Sequence, residues 1–257
     1  MANSAMQSCT KNHGRRVFCF VIHMFSSWVV VSCIFLSISC QVDGCLNDEM
    51  QSLLALKSGL HDPTARLASW NVSLSSCCQW EGVSCDSQTG HIVALDLPNC
   101  NLSGVLRPAA LLSLTALERL DVSFNNFSSL PIPKEMGLLK NLKLLNLSTA
   151  GFAGTVPWQL GNLWSLTGLD LTSPASMLTS PDLSWIANLT ALTNLSLNGV
   201  NLSATSSSWG QSVSRLSLLL NVTMSNCNLT GAPCRNLDTY KLSIWMETLF
   251  CPNSVFR

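Results

Sequence analysis

Apolar residues return along this chain in a recurring phrase, L-x-L-x-x-N/C-x-L. The first apolar position of each phrase falls at Leu95, Leu120, Leu145, Leu169, Leu195 and Val222, at spacings of 24 to 27 residues. Inside the phrase the alternation has period two, which marks a short strand with its leucines on one face and the intervening residues on the other. A unit this short cannot bury its own apolar face, so successive units must stack and share one continuous core. The expected fold is an α/β solenoid, a right-handed superhelix of about six coils with a parallel sheet along its inner rim.

The same alternation sorts the remaining positions. Outward-facing residues are Asp96, Pro98 and Asn99, then Arg119, Asp121, Ser123 and Phe124, then Ser148 and Thr149, then Asp170, Thr172 and Ser173, then Ser196 and Asn198, then Thr223, Ser225 and Asn226. Of these, Asp96, Arg119, Asp121, Ser123, Phe124, Asp170, Thr172, Ser196, Asn198 and Thr223 are the candidate ligand contacts. Asp96, Asp121 and Asp170 form one column with Asn146 in the gap. Such a column suits a basic peptide or sugar hydroxyls, but the commoner role of Asp between two inward leucines is to solvate the strand. The landmark before the last apolar residue reads Cys100, Asn125, Ala150, Pro174, Val200 and Cys227. One Asn in that column predicts a thin side-chain ladder and irregular turns, most of all at Pro174. After Leu171 the turn pattern is lost until Trp185, which predicts a bulge or displaced loop. Cys100 and Cys227 read as small residues buried inside turns.

Ahead of the first coil, Asn47-Asp48-Glu49 and the apolar stripe Leu46, Met50, Leu53, Leu54 and Leu60 predict an amphipathic helix. Asn47 or Asp48 suits its N-cap and Gly59 its stop. This helix, with Trp70 and Trp80, supplies a lid for the open apolar end of the stack. Cys45, Cys77, Cys78 and Cys85 allow three pairings. Adjacent Cys77 and Cys78 do not suit a bridge with each other; the expected pairs are Cys45 with Cys77 and Cys78 with Cys85. Closing a loop of about 30 residues is worth roughly 3 to 4 kcal/mol in the chain-entropy account.

The block from Cys45 through Leu-Leu-Ala-Leu-Lys, Ala-Ser-Trp and Cys-Cys-Gln-Trp-Glu-Gly-Val-Ser-Cys-Asp resembles the N-terminal cap of plant extracellular leucine-rich repeat proteins. The stretch from Phe152 to Leu166, with its G-x-V-P and L-G-N-L, is similar to the plant form of the repeat. The resemblance covers about residues 45 to 231. Its relatives include receptor-like proteins, whose ectodomains sense ligands at the cell surface, and polygalacturonase-inhibiting proteins of the cell wall. It implies a non-catalytic recognition module for a peptide, polysaccharide or protein ligand in defence or developmental signalling, with a co-receptor ectodomain as a further partner. The alternatives are a secreted inhibitor of microbial wall hydrolases and a truncated, non-functional receptor copy.

Residues 1–44 read as a signal peptide or signal anchor, with Lys11, Arg15 and Arg16 before the apolar run from Val17 to Ile38. The serines diluting that run and the cysteine-bearing block after it favour the cleaved signal, which places the product outside the cell, in the wall or at the outer face of the plasma membrane. Contact with a membrane would then come only through an uncleaved N-terminal segment. Residues 45–91 form the expected cap, 92–231 the repeats and 232–257 a tail. In that tail Ser243 stands where an inward leucine belongs, so no C-terminal cap is recognisable. A Cys234–Cys251 bridge would improvise one; a fragment or degenerate copy is the favoured account, a small complete recognition protein the other.

Charge and motifs narrow the chemistry. Fourteen Lys and Arg balance fourteen Asp and Glu, which argues against a nucleic-acid partner. There is no C-x-x-C pair, and past residue 44 the only histidines are His61 and His91, so neither a metal nor a cofactor is expected. Carboxylates on an open strand face lack the water-excluding cleft that glycoside hydrolysis needs; the chain is expected not to be an enzyme. On a secretory route, N-x-S/T sequons at Asn71, Asn101, Asn126, Asn146, Asn188, Asn194, Asn201, Asn221 and Asn228 are candidate glycan sites. Glycans on Asn146, Asn194 or Asn221 would obstruct the inner rim.

Overall fold

All six leucine registers pair side by side in one parallel sheet. Leu95 lies opposite Leu120, Leu120 opposite Leu145, Leu145 opposite Leu169, Leu169 opposite Leu195, and Leu195 opposite Val222. This computed structural model describes residues 45–73, 76–174, 177–205 and 208–229, plus a short antiparallel pair at Gln7–Ser8 and Phe18–Cys19. The remainder of the expected signal segment, and the tail with Cys234 and Cys251, lie outside the described residues. The sheet runs Val83–Cys85, Ile92–Asp96, Arg119–Asp121, Leu144–Asn146, Gly168–Asp170, Asn194–Ser196 and Asn221–Thr223. In this sheet only the first pairing, which joins the cap to the first coil, is antiparallel.

Backbone bonds carry the ladder beyond the strands. Leu97 donates to the carbonyl of Asp121 at 2.8 Å, Phe124 to Ser148 at 2.9 Å, Thr149 to Thr172 at 2.8 Å and Gly199 to Ser225 at 2.8 Å. Each coil thus satisfies its polar backbone with the next coil while the inward leucines fill the space between sheet and outer turns. Both inward positions of every register are buried, and Phe127 stacks on Phe152 with ring centroids 4.9 Å apart. The core is one continuous spine, as the stacking argument requires.

On the outer side the coils turn through short 3-10 segments at Lys134–Leu138, Trp158–Asn162 and Ser184–Asn188, with helices Pro108–Leu112 and Trp209–Ser214 at the same level in flanking coils. Gly137 and Gly161 sit where backbones press together. A Cβ on Gly137 would lie 2.1 Å from the carbonyl oxygen of Gln159, and one on Gly161 2.5 Å from that of Trp185. The glycine of L-G-N-L is therefore a packing requirement. A second, shorter parallel ribbon pairs Gly154–Thr155 with Leu178–Thr179.

The cap holds as expected in its bridges and its lid, and differs in detail. Cys45 bonds to Cys77 and Cys78 to Cys85. Trp70 and Trp80 are buried and stacked, centroids 5.8 Å apart, over the end of the spine. The helix spans Asn47–Lys57, but its N-cap is Leu46, and neither Asn47 nor Asp48 caps it. Its buried face is Glu49, Leu53 and Leu56, while Leu46 is exposed. Glu49 is inward because its carboxylate accepts from the Ile92 amide at 2.9 Å and contacts His91 Nδ1 at 3.0 Å, tying the helix to the first coil. Ser58 is the C-cap, so the helix stops just before Gly59. Gly59 is also needed where the chain passes the carbonyl of Val105, 2.6 Å from where a Cβ would stand.

The fourth register keeps its stack better than its sequence suggests. Leu178 is buried in the inward place that the turn pattern had seemed to vacate, and Gly154 donates to the carbonyl of Met177 at 2.9 Å. The irregularity is accommodated in the following turn, where Ser180 bonds to the Asp182 carbonyl and receives the Trp185 indole N–H at 3.3 Å.

Two substitutions test this packing. Leu145→Ala, at a fully buried central position, is expected to lower unfolding free energy by about 2–5 kcal/mol. Gly161→Ala should cost about 1–3 kcal/mol through backbone crowding. Chemical denaturation measures both, with exposed Leu138→Ala as a control expected within about 0.5 kcal/mol of the parent.

Candidate ligand-binding face

The outward column between the two inward leucines is built from groups that bind their own strand. Asp121 Oδ1 accepts from the Ser123 amide at 3.0 Å and from its hydroxyl at 2.7 Å. Asn146 Oδ1 does the same for Ser148, at 3.1 and 2.7 Å. Asp170 Oδ1 accepts from the Thr172 amide at 2.9 Å. Each side chain therefore closes a local ring where the strand ends and the turn begins. Asn146, the gap in the carboxylate column, performs the role of its neighbours and also donates to Asp121 Oδ2 at 3.0 Å.

This alters the candidate surface. Asp121 and Ser123 are buried at 8% and 2% exposure, so these two expected contacts are corrected to structural residues. Asp96 has a different partner, the Arg119 guanidinium at 2.6 Å. Arg119 itself is exposed, as are Pro98, Asn99 and Phe124. Towards the far end, Thr172 and Ser196 share a hydrogen bond of 2.8 Å, Thr223 donates to Ser196 at 2.9 Å, and Asn198 donates to Thr223 at 3.0 Å. Asp170, Thr172, Ser196, Asn198 and Thr223 are half-buried in that network. The face is thus a polar sheet knitted together sideways, from which few side chains stand free.

Beneath it, the single Asn of the landmark column does more than the expected thin ladder. Asn125 accepts from the amides of Cys100 at 3.2 Å and Leu102 at 2.9 Å, and donates to the carbonyls of Leu97 at 2.8 Å and Val122 at 2.9 Å. It bridges two coils from a buried site. Cys227 replaces this at its coil with a thiol donor to the Leu197 carbonyl at 3.0 Å, and burial pushes that thiol up to about 11. Cys100 points to the Pro98 carbonyl at 3.4 Å. Both thiols are turn-filling groups.

The candidate glycan sites differ in setting. Asn101, Asn126, Asn188, Asn194, Asn221 and Asn228 are exposed, whereas Asn71, Asn146 and Asn201 are half-buried. Asn194 and Asn221 occupy paired positions on adjacent strands, with Asn221 Nδ2 donating to Asn194 Oδ1 at 2.6 Å. Sugars on either would cover the end of the face farthest from the cap.

Against known proteins, residues 46–86 match the leucine rich repeat N-terminal domain. Among similar sequences, Receptor-like protein EIX1 of Solanum lycopersicum is 36% identical over 78% of this chain and 21% of its own length. Receptor-like protein 6 of Arabidopsis thaliana is 31% identical over 74% of this chain and 21% of its own. The chain therefore spans about one fifth of the length of these curated relatives. Among solved structures, the BIR2 ectodomain from Arabidopsis thaliana is similar with a TM-score of 0.52 and 25% identity, covering 69% of this chain and 81% of that one. The structure of PEPR1-AtPEP1 gives 0.57 and 27%, covering 70% of this chain and 25% of that one.

The Asn125 bridge and the buried thiols are open to measurement. Asn125→Ala strands several buried polar groups at once and is expected to destabilise by about 2–4 kcal/mol, read by urea denaturation. Cys100 and Cys227 should resist iodoacetamide in the native protein and label on unfolding, followed by mass spectrometry; rapid native labelling would contradict their burial.

Proposed function

We propose that this chain, a plant-type extracellular leucine-rich repeat protein similar to the N-terminal part of receptor-like proteins, recognises a peptide, glycan or protein partner on its concave sheet face. The site of action is the cell surface or wall, in defence or developmental signalling, and no reaction is catalysed there. The disulfide-bonded cap fits an oxidising compartment, and the apolar run before it fits a secretory route. A co-receptor ectodomain is a further partner consistent with this kinship.

One observation carries the reading. The fold uses the Asp121, Asn146 and Asp170 side chains to close its own strand ends, so the face is held in place by the scaffold's own hydrogen bonds. Preorganised surfaces lose less entropy on association. Against that ordered background Arg119 and Phe124 project outward. The same bonds argue against carboxylate catalysis: two acids of the column are held by backbone amides and the third by Arg119.

The test uses the secreted full chain immobilised for interferometry and exposed to fractionated peptides and oligosaccharides from plant and fungal walls, and to fungal wall hydrolases. A partner of the concave face should bind the parent and the Leu138→Ser variant of the outer side equally, and bind Arg119→Glu at least about tenfold more weakly, the weight of one lost interface contact. Binding that is indifferent to Arg119→Glu and to Thr172→Arg would remove the concave face from consideration. Inhibition of a hydrolase by the parent alone would redirect the reading to a wall-enzyme inhibitor.

A further inference from the structure

The N-x-S/T sequons look alike in the sequence, but the folded chain separates them by what each asparagine does with its amide nitrogen. Four use it within the fold. Asn146 is gripped at both ends, its oxygen by the Ser148 amide and hydroxyl and its nitrogen by Asp121 at 3.0 Å. Asn71 donates to the Ala68 carbonyl at 3.0 Å, Asn194 to Thr193 Oγ1 at 2.8 Å and Asn221 to Asn194 Oδ1 at 2.6 Å. The amide nitrogens of Asn101, Asn126, Asn188, Asn201 and Asn228 have no hydrogen-bond partner among the described residues. Where the oxygen is engaged, at Asn126 and Asn201, it closes a turn with the amide two residues on, at 3.0 and 3.1 Å.

Four of those five form a column. Asn101, Asn126, Asn201 and Asn228 each stand six residues after the first inward residue of their register, at Leu95, Leu120, Leu195 and Val222. Successive coils meet there: the Asn126 amide donates to the Leu102 carbonyl at 2.8 Å, and a Cβ on Gly151 would lie 2.9 Å from Asn126 Oδ1. Bridges from Ser103 to Asn126 and from Thr179 to Asn201 put the column on the edge that carries the second ribbon, beyond the ends of the inner strands. We propose that the folded protein carries its N-linked oligosaccharides on this edge column and on Asn188, and that the concave sheet face stays bare of sugar. The assignment rests on the secretory route proposed above. In the transfer, Nδ2 bonds to C1 of an oligosaccharide held on a lipid diphosphate; the C1–O bond breaks, the diphosphate leaves with the electron pair, and the amide gives up one proton. The donor meets the chain before it folds, so every sequon is offered and the fold discriminates afterwards. A sugar on Asn146 removes one of its N–H groups and sets a bulky substituent between its strand neighbours Asp121 and Asp170. A sugar on the edge column displaces no bond of the fold. Adjacent coils lie about 4.8 Å apart, so one sugar on each adjacent pair, Asn101 with Asn126 and Asn201 with Asn228, covers that part of the edge.

The test is glycopeptide mass spectrometry on the full chain expressed in plant leaf cells. Enzymatic release of the sugars in heavy-oxygen water converts each formerly occupied asparagine to a labelled aspartate. Asn188 and at least one member of each adjacent pair should be occupied in most molecules, and Asn71, Asn146, Asn194 and Asn221 bare in most. The double variant Asn101→Gln with Asn126→Gln should lose sugar on a gel and keep the parent's Tm. Asn146→Gln should lose no sugar and lower Tm by about 2–4 °C, the shift expected for one lost hydrogen bond in a protein of this size. Sugar on Asn146, Asn194 or Asn221 in most molecules, or a bare edge column beside occupied sites elsewhere, would overturn the assignment and leave the secretory route standing. A product with no sugar at any sequon would overturn both.

Discussion

The whole molecule depends on one constraint: a coil can satisfy its backbone and hide its leucines only against another coil. The interstrand bonds from Leu97 to Asp121 and from Phe124 to Ser148 are the same interaction repeated, and the buried leucine column is its apolar counterpart. Glycine at 137 and 161 lets the outer turns approach closely enough for the inner rim to keep register. The cap answers the same need at the end of the spine, where two stacked tryptophans and a pair of disulfides take the place of a preceding coil.

Function follows from what this constraint leaves unused. Inward positions are fixed by packing, and turn positions by backbone geometry. The alternate residues of each strand are under neither demand, and the face proposed above for binding is built from them. The structure shows that this freedom is narrower than alternation alone implies. The Asx side chains close strand ends, and the threonine–serine network on the far coils ties strands to one another. Exposed side chains stand near the cap at Pro98, Asn99, Arg119 and Phe124, and at the far end at Asn194, Asn221 and Asn226.

Much of this was legible in the sequence because a strict period leaves little room for error. Leu95, Leu120, Leu145, Leu169, Leu195 and Val222 all pair in the expected register, and the cap cysteines pair as expected. The misreadings share a physical cause. Asp121 looked like a surface charge because side-chain alternation says which way a residue points, not what it bonds to once there. Glu49 does lie in the helix's first turn, but its carboxylate also reaches inward to the Ile92 amide, a partner 43 residues away that the local pattern does not reveal. The helix does stop just before Gly59, but the second demand on that glycine, the close passage of the Val105 carbonyl, comes from a distant partner. In the fourth coil, the motif was lost to an altered turn, but Leu178 still reached the core. Local rules fail where a tertiary partner decides, but the D/N-x-S/T spacing shared by Asp121–Ser123, Asn146–Ser148 and Asp170–Thr172 was a sequence signal for the strand-end bonds.

The self-closing strand ends have a consequence for how such a protein changes over generations. Because Asp121, Asn146 and Asp170 draw their partners from their own coils or the adjacent one, the residues between them are uncoupled from the scaffold's integrity. A replacement at the exposed Arg119 alters the surface offered to the outside world while the framework beneath stays whole. New specificities can therefore be sampled one position at a time, with no wholesale redesign of the support.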